Sequence, residues 1–185
     1  MIDYLIVGQG LAGTFLHYEL SKLGLNCVII DQLNPKSASQ VAAGLINPIT
    51  GKRLVKSWLF DEAFQYFLKT INELEQLFNT QYFFQNDIIK PLKSIEEENN
   101  WSAKSQDPTY AEFIEVKNKT DFQNFGDCYS FGLIKKGGYL NIKKLLSDYK
   151  LFINNDNKFI NEYFDYSQIN FTLGEVAYKN FIAKG

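Results

Sequence analysis

Arginine is nearly absent from this sequence: of its 19 basic residues only Arg53 is not a lysine. Histidine occurs once, at His17, and cysteine twice, at Cys27 and Cys128. Two cysteines make no disulfide framework, and no Cys/His spacing for a metal is present, so no metal site is expected. Cys27 stands in an apolar run and reads as a small buried hydrophobe. No apolar stretch approaches the ~20 residues of a membrane span. Neither sign of charge dominates: the net charge is −2, which argues against nucleic acid or a membrane as partner. There is no nucleophile elbow, internal repeat or low-complexity segment. The opening apolar run reads as a strand rather than a leader, so the cytosol is the expected compartment.

What the chain does have is apolar and aromatic residues, 45% and 16% of 185, enough for a packed core. It opens on a strand signal, Tyr4-Leu5-Ile6-Val7, that ends at a glycine. Gly8, Gly10 and Gly13 then form G-x-G-x-x-G. The first glycine permits a tight turn, the second lets backbone approach a pyrophosphate, and the third lets a helix pack close on the strand. That helix is expected over residues 11–23, with Gly24 at its end. Its first N–H groups, at Leu11 and Ala12, favour a phosphate there. A second apolar strand over residues 26–30 runs into Asp31, with Gln32 beside it. The carboxylate of Asp31 falls close to the ~20-residue spacing at which such an acid reaches a ribose hydroxyl. Strand, helix, second strand and acid in register make a dinucleotide site. The alternative, glycines that only tighten a turn, leaves the spacing of Asp31 as coincidence.

A second small-residue stretch follows a polar loop: Val41-Ala42-Ala43-Gly44-Leu45-Ile46-Asn47-Pro48. It is either a backbone that lets something flat or charged come close, or a short helical turn packed on the sheet. Gly8 to Gly13, Asp31 and the run S-x-x-A-A-G-L-x-x-P from Ser39 to Pro48 together resemble the D-amino-acid-oxidase-like FAD-dependent oxidoreductases. That family includes glycine oxidase and the FAD domain of the tRNA methylaminomethyl-uridine enzyme. The resemblance implies FAD as cofactor and places Ala42, Ala43, Gly44 and Leu45 near the isoalloxazine. It places the backbone near Phe164 at the adenine. The implied reaction is oxidation of a small amine or amino acid. A hydride leaves the carbon that bears nitrogen, the imine hydrolyses, and oxygen is the final acceptor. The cofactor carries this chemistry, so the lack of a catalytic signature is no contradiction. No catalytic residue is assigned.

The rest of the chain fits that architecture: an α/β protein with a Rossmann-like parallel sheet and part of an inserted α+β substrate domain. Residues 1–50 and 138–185 are expected to form the cofactor domain, incomplete at its end, and residues 51–137 the insertion. A long amphipathic helix is expected over 56–79, with its aromatics in the core. A capping box at Ser94 and Glu97 starts another helix, and Asp107-Pro108 a third. Residues 128–134 read as a strand, Gly137-Gly138 as a turn, and Asn141 as the cap of a helix. Residues 158–161 should be the third parallel strand, followed by a hairpin, 169–172 with 176–183, closing near Gly174.

Members of the family are much longer, so this chain reads as an N-terminal fragment. Weak FAD binding, no oxidase activity and aggregation through an unpaired edge at the third strand are the expectations for it. His17, inside the first helix, is expected to pack rather than act as a base. Arg53 has the fork to bind a carboxylate, but a surface role is expected. A nicotinamide dehydrogenase would continue at once into another parallel unit after Asp31, which this chain does not do. A non-catalytic FAD-binding module is the other alternative.

Overall fold

A computed structural model describes residues 2–121 and 128–184 of the chain. In chain order its elements are β1 (Tyr4–Val7), α1 (Leu11–Lys22), β2 (Cys27–Asp31), α2 (Ala38–Val41), β3 (Leu45–Ile46), β4 (Ile49–Thr50), β5 (Val55–Lys56), α3 (Phe60–Phe78), β6 (Phe83–Gln85) and β7 (Ile88–Leu92). There follow α4 (Ile95–Ser105), β8 (Ile114–Lys117), β9 (Ser130–Ile134), β10 (Gly138–Leu140), α5 (Ile142–Asn155), β11 (Phe159–Asn161), β12 (Ile169–Thr172), β13 (Glu175–Tyr178) and β14 (Phe181–Ala183). The chain divides into two compact units, residues 1–42 with 141–185, and residues 43–140. Residues 43–50 and 138–140, assigned above to the cofactor domain, lie in the second unit because β3 and β6 both pair with β10.

The first unit is an α/β layer. Its parallel sheet has the order β1-β2-β11. The middle strand, β2, is apolar throughout because it has a neighbour on each side, and Cys27, Val28, Ile29 and Ile30 are all buried. The first strand is less buried than its sequence suggests. It forms an edge, so Tyr4 and Val7 are exposed and only Ile6 is inside. On that edge the Ile2 N–H donates to the Ile182 carbonyl (3.0 Å) and the Lys184 N–H to the Asp3 carbonyl (3.1 Å). The start of β1 is therefore met by β14. The third strand, β11, is the sheet's other edge: it pairs with β2 and with no second strand among the described residues, as expected. Gly185, the last residue of the cofactor domain expected above, lies outside the described residues.

α1 ends as the sequence suggests. Gly24 has φ +76°, and the N–H groups of Gly24 and Leu25 close on Ser21 and Leu20, a Schellman motif. α5 is capped by the Asn141 side chain, which accepts from the Lys144 N–H, and buries Ile142, Leu145, Leu146, Tyr149 and Ile153. The hairpin expected at the end of the chain is a three-stranded meander, β12-β13-β14, because Lys179 (φ +50°) breaks the run 176–183.

The second unit is built on antiparallel sheets, β7-β9-β8 and β3-β10-β6, with the hairpin β4-β5. Its core gathers Ile49, Leu54, Phe60, Leu92, Trp101, Phe113, Ile114 and Ile134. α3 starts at Phe60 rather than near 56, because Val55 and Lys56 pair with β4 and Leu59 takes φ +50° before the helix. Trp58 is 88% exposed as a result and leaves the expected stripe. The aromatics Phe60, Phe64 and Phe67 do stack in sequence, and Phe67 meets Phe83 edge to face. Ser94 caps α4 and accepts from the Glu97 N–H, while Glu97 accepts from Lys93 (2.7 Å). Asp107-Pro108 starts no helix. Two turns follow and stop, because Phe113 and Ile114 are drawn into the core and into β8. The strand expected over 128–134 begins at Ser130. Gly138 belongs to β10, and the turn lies at Lys136 (φ +58°) and Gly137.

Candidate functional site

The glycine turn between β1 and α1 holds the first unit's most constrained backbone. Gly8 has φ +98°, which side chains rarely tolerate, and its N–H donates to the Ile30 carbonyl (2.8 Å). A Cβ on Gly13 would collide with the carbonyl oxygen of Gly8 and stand 3.3 Å from Ile6 Cγ2. The third glycine therefore does what its position suggests: it lets the helix touch the strand. Gly10 is the N-cap of α1. A Cβ there would stand 3.0 Å from Ser39 Oγ, and that hydroxyl accepts the Leu11 N–H (3.2 Å). Ala12 follows in the first turn of the helix.

Asp31 is tied to the same turn. Its Oδ2 accepts the Gln9 N–H (2.5 Å) and its Oδ1 the Leu33 N–H (2.6 Å). A carboxylate offers about four acceptor positions, so roughly two stay available to hydroxyl donors. Gln9 is buried, and its Nε2 donates to the Leu146 carbonyl (2.9 Å), which locks the turn to α5. Gly8, Asp31, Gln32 and Phe164 line one recess of about 270 Å³, together with Glu162 and Tyr163. The Phe164 ring is held by stacking on the buried Tyr178, with centroids 4.3 Å apart.

The structure thus gathers Gly8, Asp31, Gln32 and Phe164 at the recess and places Gly10, Leu11, Ala12 and Gly13 at the start of the helix behind the turn. Ala42 ends α2 in the first unit with extended backbone, φ −63° and ψ 140°. Ala43, Gly44 and Leu45 are in the second unit. There Gly44 has φ +74°, its Cβ position is filled by the Leu140 carbonyl, and its own carbonyl accepts the Leu140 N–H (2.8 Å). Sequence reasoning missed Gln9, whose apolar surroundings no local pattern reveals. It also passed over Ser39, although that residue opens the second small-residue motif.

His17 is 1% exposed, and its Nδ1 lies 2.7 Å from the Tyr149 hydroxyl. Burial holds its pKa below the ordinary 6.5. It is a packing residue under the sheet. Arg53 lies exposed in the turn between β4 and β5.

Residues 3–108 match the family model described as FAD binding domain. The chain belongs to that FAD-binding family. FAD is its cofactor, and the recess fits the adenosine end: Gly8 bends the backbone at φ +98° without a side chain, a helix starts behind it, and an acid with spare acceptor positions stands in its wall. Among curated proteins, 78 residues are 33% identical to the uncharacterized oxidoreductase YurR of Bacillus subtilis (strain 168), covering 41% of this chain and 21% of that one. Among solved structures, glycine oxidase from Bacillus cereus ATCC 14579 matches with TM-score 0.76 at 16% identity, over 99% of this chain and 53% of that one. Iminodiacetate oxidase from Chelativorans sp. BNC1 matches with TM-score 0.69 at 20% identity, over 94% and 50%. At such identities the likeness is one of fold. It supports the Rossmann-like α/β class. This FAD-binding chain spans about half the length of those structures and about a fifth of the curated relative. No helix among the described residues is long and apolar enough to cross a membrane.

Proposed function

We propose that this protein is an FAD-dependent oxidoreductase that oxidises the C–N bond of a small amine or amino acid, with oxygen as electron acceptor. The observation that carries the reading is the junction of Gly8, Asp31 and Phe164 on one recess at the start of α1. In this reading the N–H groups of Gly10 and Ala12 hold the pyrophosphate at the positive end of the helix, and that of Leu11 joins them by releasing Ser39 Oγ. Asp31 keeps the turn closed through Gln9 and takes ribose hydroxyls on its remaining lone pairs. Gln32 and Phe164 wall the adenine. Ala42, Ala43, Gly44 and Leu45 are proposed to lie along the ring, as the family resemblance implies. FAD, when bound, takes up the hydride removed from the substrate carbon. The second unit is proposed as the substrate-binding region and the cytosol as the compartment.

The test is direct. The protein, extended to the length of the structures it matches, is scanned for flavin absorbance, then given a panel of amino acids and amines while peroxide is measured. Flavin with substrate-dependent peroxide supports the reading. Flavin without peroxide for any substrate points to a non-catalytic FAD-binding module, and binding of NAD in place of FAD overturns both.

A further inference from the structure

The second unit has a recess of about 440 Å³ at the β4–β5 turn and the last turns of α4. Lys52, Arg53 and Lys104 line it against one carboxylate, Asp107, with Asn100 and Leu54 completing the wall. In a chain of net charge −2 this is a local excess of positive charge, and it includes the sole arginine.

The backbone that carries Lys52 and Arg53 is held in place. Leu54 is buried in the unit's core, and the turn is closed by its N–H on the Gly51 carbonyl (3.3 Å), with Gly51 at φ +71° and Leu54 at φ +51°. Anchoring Leu54 fixes where its neighbours Lys52 and Arg53 leave the chain. Lys104 Nζ lies 3.9 Å from the Tyr110 ring centroid, a cation–π contact. The C-terminal end of α4 is reason enough for a lysine at 104. It gives no reason for Lys52 and Arg53, whose side chains have no ion-pair or hydrogen-bond partner among the described residues. Three cations against one carboxylate leave an excess of like charge, and a bound anion relieves that repulsion.

We propose that this recess is a binding site for a small dianionic oxyanion, either a dicarboxylate or a phosphate ester. Arg53 is the forked anchor, and Lys52 and Lys104 are point charges on either side. The volume falls within the ~300–1,000 Å³ of small-ligand pockets. The site goes beyond the FAD reading and does not rest on it.

Calorimetric titration of the whole chain with succinate and with inorganic phosphate tests it, at an ionic strength matched with sodium chloride. Saturable binding of one ligand per chain is expected for at least one probe; succinate alone identifies a dicarboxylate site, phosphate alone a phosphate site. Arg53→Gln should weaken it by about tenfold or more, the scale of a charge-assisted hydrogen bond. Arg53→Lys should fall between, because it keeps the charge and loses the fork. Lys69→Gln, elsewhere on the second unit, should change nothing. Unfolding midpoints are measured alongside, and if Arg53→Gln does not fold, Arg53→Lys and Lys52→Gln carry the same comparison. No saturable binding of either probe, or equal affinity in the folded Arg53 variants, overturns the proposal.

Discussion

At Gly13 an added Cβ would collide with the carbonyl oxygen of Gly8; at Gly44 it would collide with that of Leu140. Both glycines sit in small-residue motifs of the kind that cofactor sites use. At the first, the approach is helix to strand and leaves the adjoining turn facing a recess lined by Gly8 and Asp31. At the second, the space a side chain would need is taken by the chain itself, at the end of β10, where the Leu140 N–H donates to the Gly44 carbonyl. The residue type announces a close approach in each case. Only the fold says what approaches.

The largest effect is expected at Gly44→Ala, which meets both a positive φ and a carbonyl. Loss of about 4 kcal/mol in chemical denaturation is expected from backbone strain and overpacking together. The comparison breaks if this variant unfolds like the parent but no longer holds flavin, because Gly44 would then answer to the cofactor. At Gly13→Ala about 3 kcal/mol should be lost, since the helix must move off the strand, and flavin should go with the fold. Gly10→Val separates the two effects. Its nearest obstacle is the Ser39 hydroxyl, a side chain able to rotate, so the fold should survive while FAD affinity falls by about 3 kcal/mol. Equal flavin binding in this variant would make Gly10 a structural glycine only.

Asp31→Ala should weaken FAD by about 2 kcal/mol, the loss of hydrogen bonds to a charged group. Part of that comes through the freed Gln9 and Leu33 N–H groups. Unchanged affinity, read by equilibrium dialysis, would remove Asp31 from the site.

The smallest effect concerns His17, behind the glycine turn. Its folded pKa lies below 6.5, so between the two values the unfolded chain binds more protons and stability rises with pH. The contribution of the neutral imidazole is complete above pH 6.5 and is lost as pH falls below it. Denaturation from pH 5 to 8 should show that slope, and His17→Gln should flatten it without changing flavin affinity at pH 8.

The glycine motif, Asp31 and the capping residues Ser94 and Asn141 were legible because each acts on backbone within a few residues or at a spacing set by one strand and one helix. Gln9 was not, since its partner is Leu146, 137 residues away. The start of α3 was misread because apolar periodicity ran on through Trp58, and a strand pair with β4 overrode it. Asp107-Pro108 carried a helix signal that two buried neighbours, Phe113 and Ile114, cut short.

By itself the sequence determined the first β–α–β unit and its glycine turn, because local glycine geometry and strand polarity leave few alternatives there, and its resemblance to known motifs implied FAD. The tertiary structure alone decided that β1 is an edge, that Gly44 serves the second unit's own packing, and that Lys52, Arg53 and Lys104 converge on one recess. Those outcomes depend on which distant backbone occupies the adjoining space, and no periodicity or spacing along the chain encodes that.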